Sequence, residues 1–98
     1  MQLILARYLT AASLFIFTPQ LAFSQDQQND ADLAEGEAQY QLFCAECHEG
    51  ALLEAPQRAA FDFYTPNRIV DALEFGSMAT SGMALTRDQK RKIAYFLT

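Results

Sequence analysis

Cys44-Ala45-Glu46-Cys47-His48 is the stretch on which the reading of this chain turns. Two thiols three residues apart, with a histidine directly after the second, form the attachment pattern of a covalent c-type haem. The chemistry accounts for the spacing. Each thiol adds to one porphyrin vinyl group, and the histidine that follows is forced beneath the ring with a nitrogen pointing at iron. Cys44, Cys47 and His48 are therefore the expected cofactor-binding residues, and His48 is an expected iron ligand.

Other uses of a Cys-x-x-Cys pair fit the chain less well. A disulfide between Cys44 and Cys47 would close a very small loop and stabilise little. A thioredoxin-like redox pair needs a β-α-β context, which the sequence lacks. A zinc site needs four ligands, and there is neither a second cysteine pair nor a second histidine.

The chain start supports the same chemistry. Met1 to Ser24 reads MQLILARYLTAASLFIFTPQLAFS, with Arg7 near the start, an apolar stretch from Tyr8 to Phe17, then Pro19. Ala22-Phe23-Ser24 places small residues where a signal peptidase reads, so cleavage is expected before Gln25. The apolar run is too short to span a bilayer, and no stable membrane anchor is expected once it is removed. Covalent haem attachment in bacteria takes place outside the cytoplasm, so the motif and the export signal agree on a periplasmic or secreted location.

At 98 residues there is room for one domain at most. A core built from Gln25–Thr98 alone would be marginal, and a haem would supply a large apolar body to fold around. The full chain has 7 Lys and Arg against 12 Asp and Glu, a formal charge of −5, and loses Arg7 on cleavage. That balance argues against nucleic acid or an anionic membrane as partner, and asks for a basic patch on any electrostatic one.

Beyond the export signal, 25–31 (QDQQNDA) is polar and reads as a flexible leader. The domain proper is expected over 32–98. A first helix runs from about Asp32 to Cys44, capped by Asp30 or Asp32, with Leu33, Gly36, Tyr40 and Phe43 along one face. Gly36 inside it costs about 1 kcal/mol against alanine and asks for a close-packed neighbour. Thr65-Pro66-Asn67-Arg68 opens a second helix with Ile69, Val70 and Leu73 as its apolar stripe, and Gly76 closes it. Thr86-x-x-Gln89 is a capping box for a third helix, which carries Leu85, Ile93, Tyr95, Phe96 and Leu97 for packing. Its basic run, Arg87, Lys90, Arg91 and Lys92, reads as a solvated face. With no strand pattern beyond the short aromatic run Phe61–Tyr64, the expected class is all-α.

Taken together, Gly36 to Leu97 resembles a small class I c-type cytochrome domain. The resemblance implies a small cytochrome c fold, three main helices around one covalently attached haem. It also implies that Gly36 and Tyr40 pack against an aromatic of the last helix, either Tyr95 or Phe96. The family's sixth iron ligand is a methionine in the loop before the last helix, which here offers Met78 and Met83. The family pattern of Gly-x-Met, a short loop, then Leu-Thr favours Met78 over Met83, which lies only two residues before Leu85 and has little chain left to reach the iron. The resemblance further implies a backbone carbonyl, that of Pro56, on the histidine's other ring nitrogen. Arg58 and Arg68 are candidates for pairing with haem propionates.

A haem with His48 and Met78 as its two axial ligands has no vacancy for substrate, so the expected role is one-electron transfer and not enzymatic catalysis. The blocks 55–60, 65–69 and 76–78 are also similar to cytochrome domains of quinoprotein dehydrogenases of the polyvinyl-alcohol dehydrogenase group. That similarity implies redox partner proteins such as a dehydrogenase carrying pyrroloquinoline quinone, or a terminal oxidase. It leaves open a free-standing carrier, a subunit, or a piece of a larger protein. The competing expectation is a haem-based sensor or small-ligand-binding module with an open sixth position.

Overall fold

A computed structural model of the chain describes residues 12–19 and 25–98. Most of the expected export signal lies outside the described residues; within it, 12–19 are exposed and non-helical. Among the described residues no helix is long and apolar enough to cross a membrane, and there is no strand. The protein is all-helical.

Among the described residues, four α-helices make up the fold, with two tight turns between the first and second. They are α1 (Gln25–Phe43), α2 (Pro66–Glu74), α3 (Ala79–Gly82) and α4 (Arg87–Leu97). A kinked turn, Cys47–Ala51, in which Glu49 and Gly50 leave helical φ/ψ, follows α1, and a 3-10 helix, Arg58–Phe63, absorbs most of the aromatic run. The first helix starts at Gln25, not near Asp32, so the polar stretch expected as a leader is helical. Gln and Asp cost only a few tenths of a kcal/mol each inside a helix. Once the packed part of α1 has nucleated, extension backwards is cheap.

The caps form where the local chemistry places them. Thr65 Oγ1 accepts from the Arg68 backbone N–H at 3.3 Å, with Pro66 as the first helical residue. The Thr86 capping box is complete, with the Gln89 N–H donating to Thr86 Oγ1 at 3.2 Å and the Thr86 N–H donating to Gln89 Oε1 at 2.9 Å. Ile69, Val70 and Leu73 of α2 are buried, as are Ile93, Ala94 and Leu97 of α4.

Helix α4 packs on both α1 and α2, and its crossing with α1 explains Gly36. A Cβ on Gly36 would run into the Lys92 carbonyl of α4, so only glycine permits this approach. One turn on, Tyr40 is 1% exposed and its ring meets Phe96, centroids 5.7 Å apart. Phe96 is therefore the aromatic partner from the last helix, while Tyr95 points outward at 61% exposure. Leu33 and Phe43, expected on the buried face of α1, are half-exposed.

Two cations expected elsewhere tie α4 to its neighbours. Lys92 is not on a solvated face: its Nζ lies 2.7 Å from Glu35, 2.9 Å from Asp88 and 3.5 Å from Asp32. Hydrogen bonds to the Glu35 and Asp88 carboxylates hold its ammonium well above the usual lysine range. Arg58 reaches the far end of α4, where Nη1 donates to the Leu97 carbonyl at 3.2 Å and Nη2 to the Phe96 carbonyl at 3.3 Å. Its guanidinium also lies 5.2 Å from the centre of the Phe96 ring. A cation at a helix C-terminus satisfies otherwise unpaired carbonyls and opposes the helix dipole.

Candidate functional site

One apolar cavity of about 210 Å³ opens between α1, the 3-10 helix, α2 and α4. It is several times the space one water occupies, roughly 30 Å³. Cys44, His48, Pro56, Arg68 and Met78 all line it, over a wall of core side chains that includes Tyr40, Phe61, Leu73 and Ile93.

Cys44 and His48 arrive from the end of α1. The Cys44 N–H still donates to the Tyr40 carbonyl at 2.8 Å, and the His48 N–H to the Cys44 carbonyl at 3.1 Å, so helical spacing carries past Phe43. That spacing puts Cys44 and His48 on the cavity side and leaves Cys47 exposed. Burial, and the second thiol at Cys47, push the Cys44 thiol up, so it stays protonated at neutral pH.

His48 is 6% exposed and held from two sides. Its Nδ1 lies 2.7 Å from the Pro56 carbonyl, and its ring sits against Phe61 with centroids 5.2 Å apart. A carbonyl only accepts, so Nδ1 carries the proton and the lone pair is on Nε2. This is how a histidine metal ligand is usually prepared: the outer hydrogen bond sets the tautomer and ring orientation and raises basicity. Among the described residues no three His, Cys, Asp or Glu side chains gather as a metal site, so a metal here would depend on His48, the methionine loop and whatever carries the metal.

Another part of the lining comes from the loop after α2. The Phe75 and Gly76 N–H groups both donate to the Asp71 carbonyl, and Met78 N–H donates to the Ala72 carbonyl at 3.0 Å. The chain thus folds back onto the last turn of α2 and brings Met78 beside Leu73, half-buried at the cavity. Gly82, closing α3, packs so tightly that a Cβ would meet the Leu73 carbonyl. Met83 follows it outward at 84% exposure and does not line the cavity. The two methionines are thereby separated: one faces the histidine's cavity, the other faces water.

Arg68 and Arg58 divide in the same way. Arg58 is committed to α4, whereas the Arg68 guanidinium lies over the Tyr64 ring, 3.9 Å from its centre, on the cavity wall. It has no carboxylate partner among the described residues. The bracing roles of Phe61 and Tyr64 were not foreseen from the sequence, where they are only an aromatic run. Tyr40 brings one further feature, a buried hydroxyl without a hydrogen-bond partner.

No protein-family model, curated protein or solved structure matches the chain.

Proposed function

We propose that the chain is a small c-type cytochrome domain: a periplasmic one-electron carrier holding a single haem through Cys44 and Cys47, with His48 and Met78 as axial ligands. The observation that carries this reading is the lining of one apolar cavity by Cys44, by His48 with its Nδ1 already committed to Pro56, and by Met78. The donor set fits the group. It pairs a borderline nitrogen ligand with a soft sulfur ligand, which iron in a haem accepts and which favours the ferrous state. When bound, haem supplies the one-electron chemistry; the protein supplies attachment, orientation and a dry surround.

The residues around the cavity have separate tasks under this reading. Pro56 and Phe61 orient His48. The fold-back of the loop onto α2 presents the Met78 sulfur. Arg68, braced on Tyr64, is the cation available to a haem carboxylate, and this favours it over Arg58. The redox partners are proteins, and a dehydrogenase carrying pyrroloquinoline quinone is one candidate class.

Haem staining of the exported protein on a denaturing gel is the first test. A stained band at the protein's mass is expected, and its absence would remove the cytochrome reading. Carbon monoxide then separates carrier from sensor, since ready binding to the reduced wild type would mean an open sixth position and not Met78 ligation.

A further inference from the structure

Beside the cavity, the segment 46–54 combines features that neither the fold nor the proposed haem site uses. Ala51, Leu52 and Leu53 form an uninterrupted exposed apolar run, with Leu53 91% exposed. Three consecutive apolar residues in water are a cost to solubility unless something covers them. Neither leucine lines the cavity.

The run is not a loose loop. Gly50, at φ 127°, turns the chain into it, and the His48–Pro56 hydrogen bond spans it. The Ala55 N–H donates to the Leu52 carbonyl at 3.1 Å, and Gln57 Nε2 donates to the Ala55 carbonyl at 3.1 Å. Leu53 is thus held outward at the tip of a tied loop. Glu46 and Glu49 precede the run and Glu54 follows it, all three exposed, and none forms an ion pair among the described residues. Lys92, Arg87 and Arg58 neutralise carboxylates on other parts of the molecule. Exposed Cys47 lies within this same segment.

We infer that the 46–54 loop is the docking face for the redox partner, a protein surface with an apolar centre ringed by Lys and Arg. Unpaired charges around an apolar centre are the arrangement that steers a partner of opposite sign and then excludes water on contact. The inference rests on the cytochrome reading, because it takes the loop carrying Cys47 to border the electron's exit.

A small mimic of that partner is tris(1,10-phenanthroline)cobalt(III), an apolar cation. Ferricyanide is the hydrophilic anion for contrast. Each would oxidise the reduced haem-loaded protein in stopped flow, one electron converting ferrous to ferric haem and cobalt(III) to cobalt(II), or ferricyanide to ferrocyanide. At low salt, Glu46→Gln/Glu49→Gln/Glu54→Gln is expected to slow the cobalt reaction by on the order of tenfold and to speed the ferricyanide reaction. Both effects should shrink as salt screens the charges. Leu53→Ser should slow only the cobalt reaction, and still do so at high salt. The control Asp30→Asn/Glu37→Gln/Asp71→Asn removes as much charge from other exposed positions. Equal slowing by the two triple variants would reduce the effect to net charge and overturn the docking face, as would no slowing by the loop variant. A Leu53→Ser rate equal to wild type would overturn its apolar centre. Wild-type protein without attached haem would instead remove the reading beneath it.

Discussion

The two walls of the cavity are built by different means. On the histidine wall, side chains do the fixing: His48 is 6% exposed, bonded through Nδ1 to Pro56 and braced by Phe61. On the methionine wall no side-chain hydrogen bond is involved. Met78 is placed by backbone bonds that return the chain to α2, and by Gly82 against the Leu73 carbonyl. Thioether sulfur is a weak acceptor, so it offers nothing comparable to the imidazole N–H for the protein to grip. A nitrogen ligand can be oriented directly, whereas a sulfur ligand is oriented through the path of its loop. Under the proposed cytochrome reading, the cysteines beside the histidine wall hold the group itself, whereas the methionine wall supplies only a ligand.

The largest expected contrast follows from that difference. Under the proposed cytochrome reading, Cys44→Ala/Cys47→Ala should abolish haem staining, while Met78→Ala should keep the stain and lose only the weak red charge-transfer band of Met-ligated ferric haem. Met83→Ala should keep both. Loss of the band in Met83→Ala and its retention in Met78→Ala would exchange the roles of the two methionines.

Backbone fit comes next in size. Gly82→Ala drives a Cβ into the Leu73 carbonyl, and Gly36→Ala drives one into the Lys92 carbonyl. Each should cost about 1–3 kcal/mol or more by denaturant unfolding, because the obstacle is backbone and cannot rotate away. Only Gly82→Ala should also weaken the charge-transfer band. An equal effect from Gly36→Ala would mean that the methionine wall depends on the whole fold and not on its own loop.

A smaller effect is expected where α1 and α4 are joined by charge. Lys92→Gln should lower the melting temperature at low salt, with a difference that shrinks as salt is added. The Lys92 pKa is raised above its ordinary 10.5 in the folded protein. Its contribution is therefore complete below about pH 10 and fades only as pH rises towards the folded value. Between pH 7 and 9.5 the wild-type minus Lys92→Gln difference in melting temperature should be flat.

The smallest effect has the opposite sign. Tyr40→Phe removes a buried hydroxyl that has no partner, and should stabilise the protein by about 1 kcal/mol. A loss of stability on equilibrium unfolding would show that the hydroxyl is bonded in solution.

Much of this arrangement was legible in the chain because its causes are local. Cys44, Cys47 and His48 are neighbours in sequence, so helical geometry alone puts two of them on one side. Thr65 and Thr86 cap because their partners lie three residues away, and Ile69, Val70 and Leu73 are buried because they share one helical face. All-α class, the two downstream helix starts and the need for a close neighbour at Gly36 all follow from rules acting over a few residues. The start of α1 was misjudged for the converse reason: Gln25 to Ala31 has no apolar face to declare a helix, and is carried into one by the packed segment that follows.

The remaining decisions lie at long range. Phe96 and not Tyr95 faces Tyr40, because α4 turns its backbone at Lys92 towards Gly36 and Phe96 lies one helical turn further along that face. Arg58 belongs to the end of α4 and Arg68 to the cavity, although both lie in the first turn of a helical segment and read alike. Lys92 finds Glu35 from 57 positions away, and no spacing rule operates over that distance. Met78 and Met83 are chemically the same residue. Their separation into cavity and solvent is a property of how the loop closes on α2, and only the assembled helices determine that closure.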